Sequence, residues 1–156
     1  MDDKEIEKLI ATPKSILKPP PKDFRQEGQH LRKDFTLQST EGNLQFGVFV
    51  RRHIDFQENF SIGLIFYPVD DRSITLFRCN GNHGEVVKEP LRPSPHFDYH
   101  THVITSEDIQ KGVREPSFPE ITKYYASYEE ALRYFIKNVN ILDADKCFDL
   151  QLRLFP

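Results

Sequence analysis

Hydrophobic residues recur along the chain with two different periods. In residues 3–11, Ile6, Leu9 and Ile10 fall at helical spacing and Pro13 stops the run, which predicts a short amphipathic helix. From Leu31 onward the period is two. Leu31, Phe35 and Leu37 share one parity and lead into the polar cluster STEGN at 39–43, which has turn chemistry. In NLQFGVFVRRHIDF the even positions Leu44, Phe46, Val48, Val50, Ile54 and Phe56 are apolar, while Gln45, Arg51, His53 and Asp55 are polar. FSIGLIFYP repeats the alternation through Phe60, Ile62, Leu64 and Phe66, and Pro68 closes it. After a turn at Asp70 and Asp71 comes SITLFRCN, ending at Gly81. Four strands joined by short polar turns predict an antiparallel meander, because parallel neighbours need crossovers of about a dozen residues or more.

The second half is less regular. Residues 81–95 hold two Gly and three Pro and read as a loop, followed by a fifth strand at HFDYHTH, residues 96–102. One or two helical turns over 106–113 are ended by Gly112, and EPSFPEITKYY is too interrupted by proline for regular structure. SYEEALRYFIKNV is the clearest helix: Ser127 and Glu130 have capping-box spacing, and Ala131, Leu132, Phe135, Ile136 and Val139 form one apolar face. CFDLQLRLFP alternates again and predicts a terminal strand. The expected fold is α+β: a mainly antiparallel sheet of five or six strands, covered by one long helix and one or two short ones. Residues 31–156 form this single domain. Residues 1–30 form an N-terminal helix and a basic arm made extended by Pro19, Pro20 and Pro21.

Composition supports a chain that folds alone. At 156 residues, 38% hydrophobic, with thirteen Phe and six Tyr, it is too apolar and aromatic for disorder. The net charge of −3 argues against nucleic-acid binding by overall charge, yet residues 14–33 carry six basic side chains against two acidic. Such a segment reads as a solvated tether, or as an arm that touches a phosphate backbone or an acidic partner. Two cysteines without paired spacing suggest reduced thiols. The acidic start MDDKEIEKLI is unlike a secretory signal and no apolar run spans a membrane, so a cytoplasmic protein without membrane association is expected.

Candidate chemistry gathers in two stretches. In HFDYHTH as a strand, His96, Asp98, His100 and His102 lie in one row, with Phe97, Tyr99 and Val103 turned to the core. The row spans about 20 Å at the usual strand rise, too far for one metal ion to collect all four. A metal site therefore reduces to His100 and His102, with Asp98 or His83 as a third ligand. The alternatives are a polar strand face with ordinary histidines and an acid–base pair. FRCNGNHG, residues 77–84, bears on the last. Arg78 shares the parity of Leu76 and reads as snorkelling or as lying at the strand end, while Asn80, Gly81, Asn82 and Gly84 suit a positive-φ turn that lifts His83. Brought beside the histidine row, this set suits phosphodiester cleavage without a metal or other cofactor: one imidazole takes a proton from a 2′-hydroxyl, another gives one to the leaving oxygen, and Arg78 stabilises phosphoryl charge.

The order FRCNGNHG, HFDYHTH, YYASYEEALRYF resembles an uncharacterised family of small bacterial proteins over about 35–141. More distantly, the arginine at a strand end, the Asn- and His-containing turn and the later His-x-His resemble TumE-like toxins of toxin–antitoxin pairs. That resemblance implies an endoribonuclease with roles at Arg78, Asn80, His83, His100 and His102, and RNA and an antitoxin as partners; the strand spacing separately makes Asp98 a candidate orienting carboxylate for His100 and His102. The long arm and acidic pI depart from it. The alternative class is a non-enzymatic phage- or mobile-element protein that binds a host or defence protein through Tyr124, Tyr125 and Tyr128 and the proline arm.

Overall fold

The computed structural model describes residues 1–82 and 99–148. Alternation builds its centre: β3 (His30–Ser39), β4 (Gln45–His53), β5 (Phe60–Tyr67) and β6 (Ile74–Asn80) form an antiparallel meander. The sheet continues through β7 (His100–Val103) to β8 (Pro119–Ile121), and on the other side β1 (Lys14–Lys18) and β2 (Arg25–Glu27) both pair with β3. All these pairings are antiparallel. The α+β class stands, with eight strands in place of the five or six expected.

The additional strands come from segments whose prolines weaken the strand signal. Lys14–Lys18 hydrogen-bonds to the Thr36–Ser39 half of β3 and Arg25–Glu27 to the His30–Arg32 half. Between them stands the triple proline, which cannot donate to a ladder. The segment read as an arm is thus extended and is paired at both its ends. β8 begins with Pro119 and is only three residues long, an edge position that tolerates proline.

One face of the sheet is the core. Phe35, Leu37, Phe46, Val48, Val50, Ile62 and Leu64 are buried there under α1 (Asp3–Ala11) and α3 (Tyr128–Asn138), the short α2 (Ser106–Gln110) following β7. Phe135 of α3 stacks on Phe77 of β6, ring centroids 5.8 Å apart. Ser127 caps α3 by accepting from the Glu130 amide, and the Glu130 carboxylate accepts in turn from Ala126, one residue before the expected partner. Ile54 and Phe56 continue the apolar parity of β4 but are exposed, because the strand ends at His53. Of the expected terminal strand CFDLQLRLFP, residues 149–156 lie outside the described residues.

Lys14 is fully buried and ties the helices to the sheet. Its Nζ donates to the carbonyls of Ile10, Thr12 and Val139, each at 2.8 Å, so one ammonium satisfies acceptors at the ends of both α1 and α3. Among the described residues no helix is long and apolar enough to cross a membrane.

Candidate functional site

A β-bulge decides which side chains meet on the far face of the sheet, the one turned away from α1 and α3. Leu64 pairs with Phe77 and Ile65 with Thr75, so Leu76 is an extra residue in β6. Side chains alternate, and one extra residue reverses parity beyond it. Without the bulge Arg78 and Asn80 would share the core face with Ile74. With it, Phe77 and Cys79 take the core face, and Arg78 and Asn80 turn to the far one. The reading of Arg78 as sharing the side of Leu76 is corrected by this single residue.

Across the next ladder Arg78 stands directly opposite His102, and Asn80 opposite His100. Cross-strand partners point to the same side, with Cβ atoms about 5 Å apart. The two imidazoles are themselves neighbours, ring centroids 5.0 Å apart in a T-shaped arrangement. Four of the expected site residues therefore converge from two strands. His83 and Asp98, with His96, lie outside the described residues. Among the described residues no group of three or more His, Cys, Asp or Glu is placed to hold a metal ion.

Burial differs from the sequence expectation. His100 is fully buried and His102 is 3% exposed, while Val103, expected in the core, is 42% exposed. Asn80 is buried as well, and its side-chain oxygen accepts from the Ser61 hydroxyl at 2.9 Å. Asn80 is the last residue of β6, not part of a turn, and Gly81 has no positive φ. Glycine is needed at 81 for space: a Cβ there would run into the carbonyl oxygen of Glu58 and the ring of Phe60.

Arg78 is half-buried and donates from Nη2 to the Pro116 carbonyl at 3.2 Å, while its Nε is buried with no hydrogen-bond partner. Burial lowers the affinity of its guanidinium for the proton; Glu115 opposes this and Arg51 adds to it. From below, Tyr125 fixes the backbone of the pair. Its hydroxyl donates to the carbonyls of Asn80 and His100 at 2.9 and 2.8 Å, and burial raises its pKa well above the phenol range.

Sequence reasoning missed Ser61, Arg51 and the positioning role of Tyr125. The first two were signalled by parity, since Ser61 pairs with both Asn80 and Arg51 in the assembled sheet. Tyr125 and Tyr128, read as interface residues, are 2% and 8% exposed core side chains, whereas Tyr124 is exposed. Comparison with protein-family models, curated proteins and solved structures gives no match.

Proposed function

We propose that the chain is a small toxin-like protein that cleaves RNA by acid–base catalysis at His100 and His102. One observation carries the reading: the register of β6 on β7 sets Arg78 opposite His102, whose ring centroid is 5.0 Å from that of His100. Two imidazoles and a guanidinium are the groups a metal-independent transesterification calls for. One imidazole takes the proton of a ribose 2′-hydroxyl as its oxygen bonds to the adjacent phosphorus. The other, as imidazolium, gives a proton to the 5′-oxygen as its bond to phosphorus breaks. The products are a 2′,3′-cyclic phosphate and a 5′-hydroxyl. Arg78 neutralises charge on the non-bridging oxygens, and a site screened from water strengthens that effect.

Both imidazoles are buried, so turnover requires that substrate reach them. The purified protein should cut single-stranded RNA in the presence of a chelator, and His102→Ala should slow cutting by about a hundredfold or more. Intact RNA in an assay free of contaminating nuclease rejects the proposal.

A second reading, a non-enzymatic phage- or mobile-element protein that binds a host or defence protein, is favoured by the β8 edge. Phe118 and Tyr124, flanking this edge strand, are each 77% exposed, and Ile121 is 54% exposed. Large exposed apolar groups at a strand that ends the sheet among the described residues suit strand addition by a partner. On this reading Phe118→Ser and Tyr124→Ser abolish the effect of expressing the protein in cells, and His102→Ala leaves it intact.

A further inference from the structure

On the core face of the sheet, two apolar stripes each run into a cation. In β4 the stripe Phe46, Val48, Val50 continues into Arg52, and in β3 the stripe Leu37, Phe35 continues into Lys33, which pairs directly with Val50. Parity therefore sets both charged side chains on the side that α3 covers. Long cations at such a position ordinarily reach for solvent. Here aromatic rings stand against them. The Lys33 Nζ lies 4.6 Å from the ring centroid of Phe24, the residue before β2. The Arg52 guanidinium carbon lies 4.9 Å from the same centroid and 5.0 Å from that of Tyr128.

These groups line a cavity of about 220 Å³. Val50 and Leu132 give it a buried apolar wall, while Lys33, Arg52, Glu129 and Cys147 line it as half-exposed residues. Neither cation has an ion pair among the described residues, and the Arg52 side chain makes no hydrogen bond there. Lys33 donates once, to the Lys22 carbonyl at 2.7 Å, which leaves two of its three donors for a ligand. The carboxylate in the lining is that of Glu129, which accepts from Gln57 Nε2 at 3.3 Å. Two positive charges against one negative leave the lining one anion short of neutral. Burial loosens the hold of Lys33 on its proton, with Asp23 opposing and Arg52 adding to the effect, and an anion beside it would reverse that.

We propose that this cavity binds a small organic monocarboxylate, its carboxylate between Arg52 and Lys33 and its apolar body against Val50 and Leu132. The planar guanidinium matches a carboxylate through two parallel hydrogen bonds. A single negative charge completes the balance, whereas a doubly charged phosphate exceeds it beside Glu129. The volume falls below the range of about 300–1,000 Å³ usual for drug-sized ligands, so the body is one ring or a short branched chain. This site is separate from the histidine pair, because Lys33 and Arg52 lie on the face of the sheet opposite to Arg78 and His102.

Cys147 lines the cavity and so reports its occupancy. Benzoate is the probe, and alkylation of Cys147 by uncharged iodoacetamide is the readout. Benzoate should slow alkylation severalfold and saturably, and benzamide, similar in shape but uncharged, should not. Arg52→Gln and Lys33→Gln should each weaken the protection about tenfold through loss of a charge-assisted contact. Glu129→Gln keeps both cations and their ring contacts, and should strengthen it even if Arg52→Gln folds poorly. No protection by benzoate, equal protection by benzamide, stronger protection by inorganic phosphate at matched ionic strength, or wild-type affinity in both cation variants overturns the proposal.

Discussion

The hydroxyl of Tyr125 reaches between the carbonyl oxygens of Asn80 and His100, residues directly opposite each other on neighbouring strands. One proton thereby holds together the backbone that carries two of the site side chains. Tyr125→Phe keeps the ring packing against Phe60 and removes this link together with the hydroxyl's hydrogen bond to the Cys79 side chain. It should cost about 1–3 kcal/mol in urea unfolding, because two buried acceptors lose their donor, and should slow RNA cleavage more than it weakens RNA binding.

Lys14 should give the protein an alkaline stability gain. Burial pushes its ammonium down to about 7 from an ordinary value of 10.5. Between those values the unfolded chain holds the proton more often than the folded one, so this residue makes stability rise with pH across that window and contributes no slope below it. The slope from this residue is at most about 1.4 kcal/mol per pH unit. Urea midpoints measured from pH 6 to 10 should show it, and Lys14→Met should abolish it while lowering stability at every pH by leaving buried carbonyls without a donor.

The two thiols should differ sharply. Cys79 is fully buried on the core face, and burial raises its pKa far above the usual thiol range, whereas Cys147 is only half-buried. A chromogenic disulfide reagent should therefore titrate one thiol quickly in the native protein and the second only at the rate of unfolding. Cys147→Ser should eliminate the fast phase; two fast thiols would contradict the packing of β6 against Tyr125.

Gly81→Ala tests the strand end below the site. The added methyl meets a backbone carbonyl at Glu58, which cannot swing aside as a side chain can. A loss above about 2 kcal/mol in thermal or denaturant unfolding is expected, and the displaced end of β6 should take Asn80 out of hydrogen-bond range of Ser61.

The central strands were legible because each has one face on the core; in β4 the two-residue pattern is unbroken, so Phe46, Val48 and Val50 announced both the strand and its orientation, whereas in β6 the extra Leu76 interrupts it. α3 was legible through its cap and its apolar stripe. The pairing of β1 and β2 with β3 left no such trace: the buried Lys14 donates to two nearby carbonyls, of Ile10 and Thr12, but also to Val139 at the far end of the chain, a contact that no local pattern encodes. For the site, sequence supplied the chemical types of Arg78, Asn80, His100 and His102 but assigned Arg78 and the histidines to the wrong surroundings. The face of Arg78 depends on a register shift against β5. The burial of the histidines depends on tertiary packing, which overrides the tendency of a polar row to face water.

The extra residue at Leu76 has a counterpart in reading frames. Everything downstream of it in β6 is displaced by one position, so the same letters carry the opposite sense. Taking that residue out would leave Arg78, Asn80, His100 and His102 all present, yet would aim the first two at Phe135 and α3. The histidine pair would lose its guanidinium with no functional residue altered, and restoring one residue anywhere between the Ile65 pairing and Arg78 would return it.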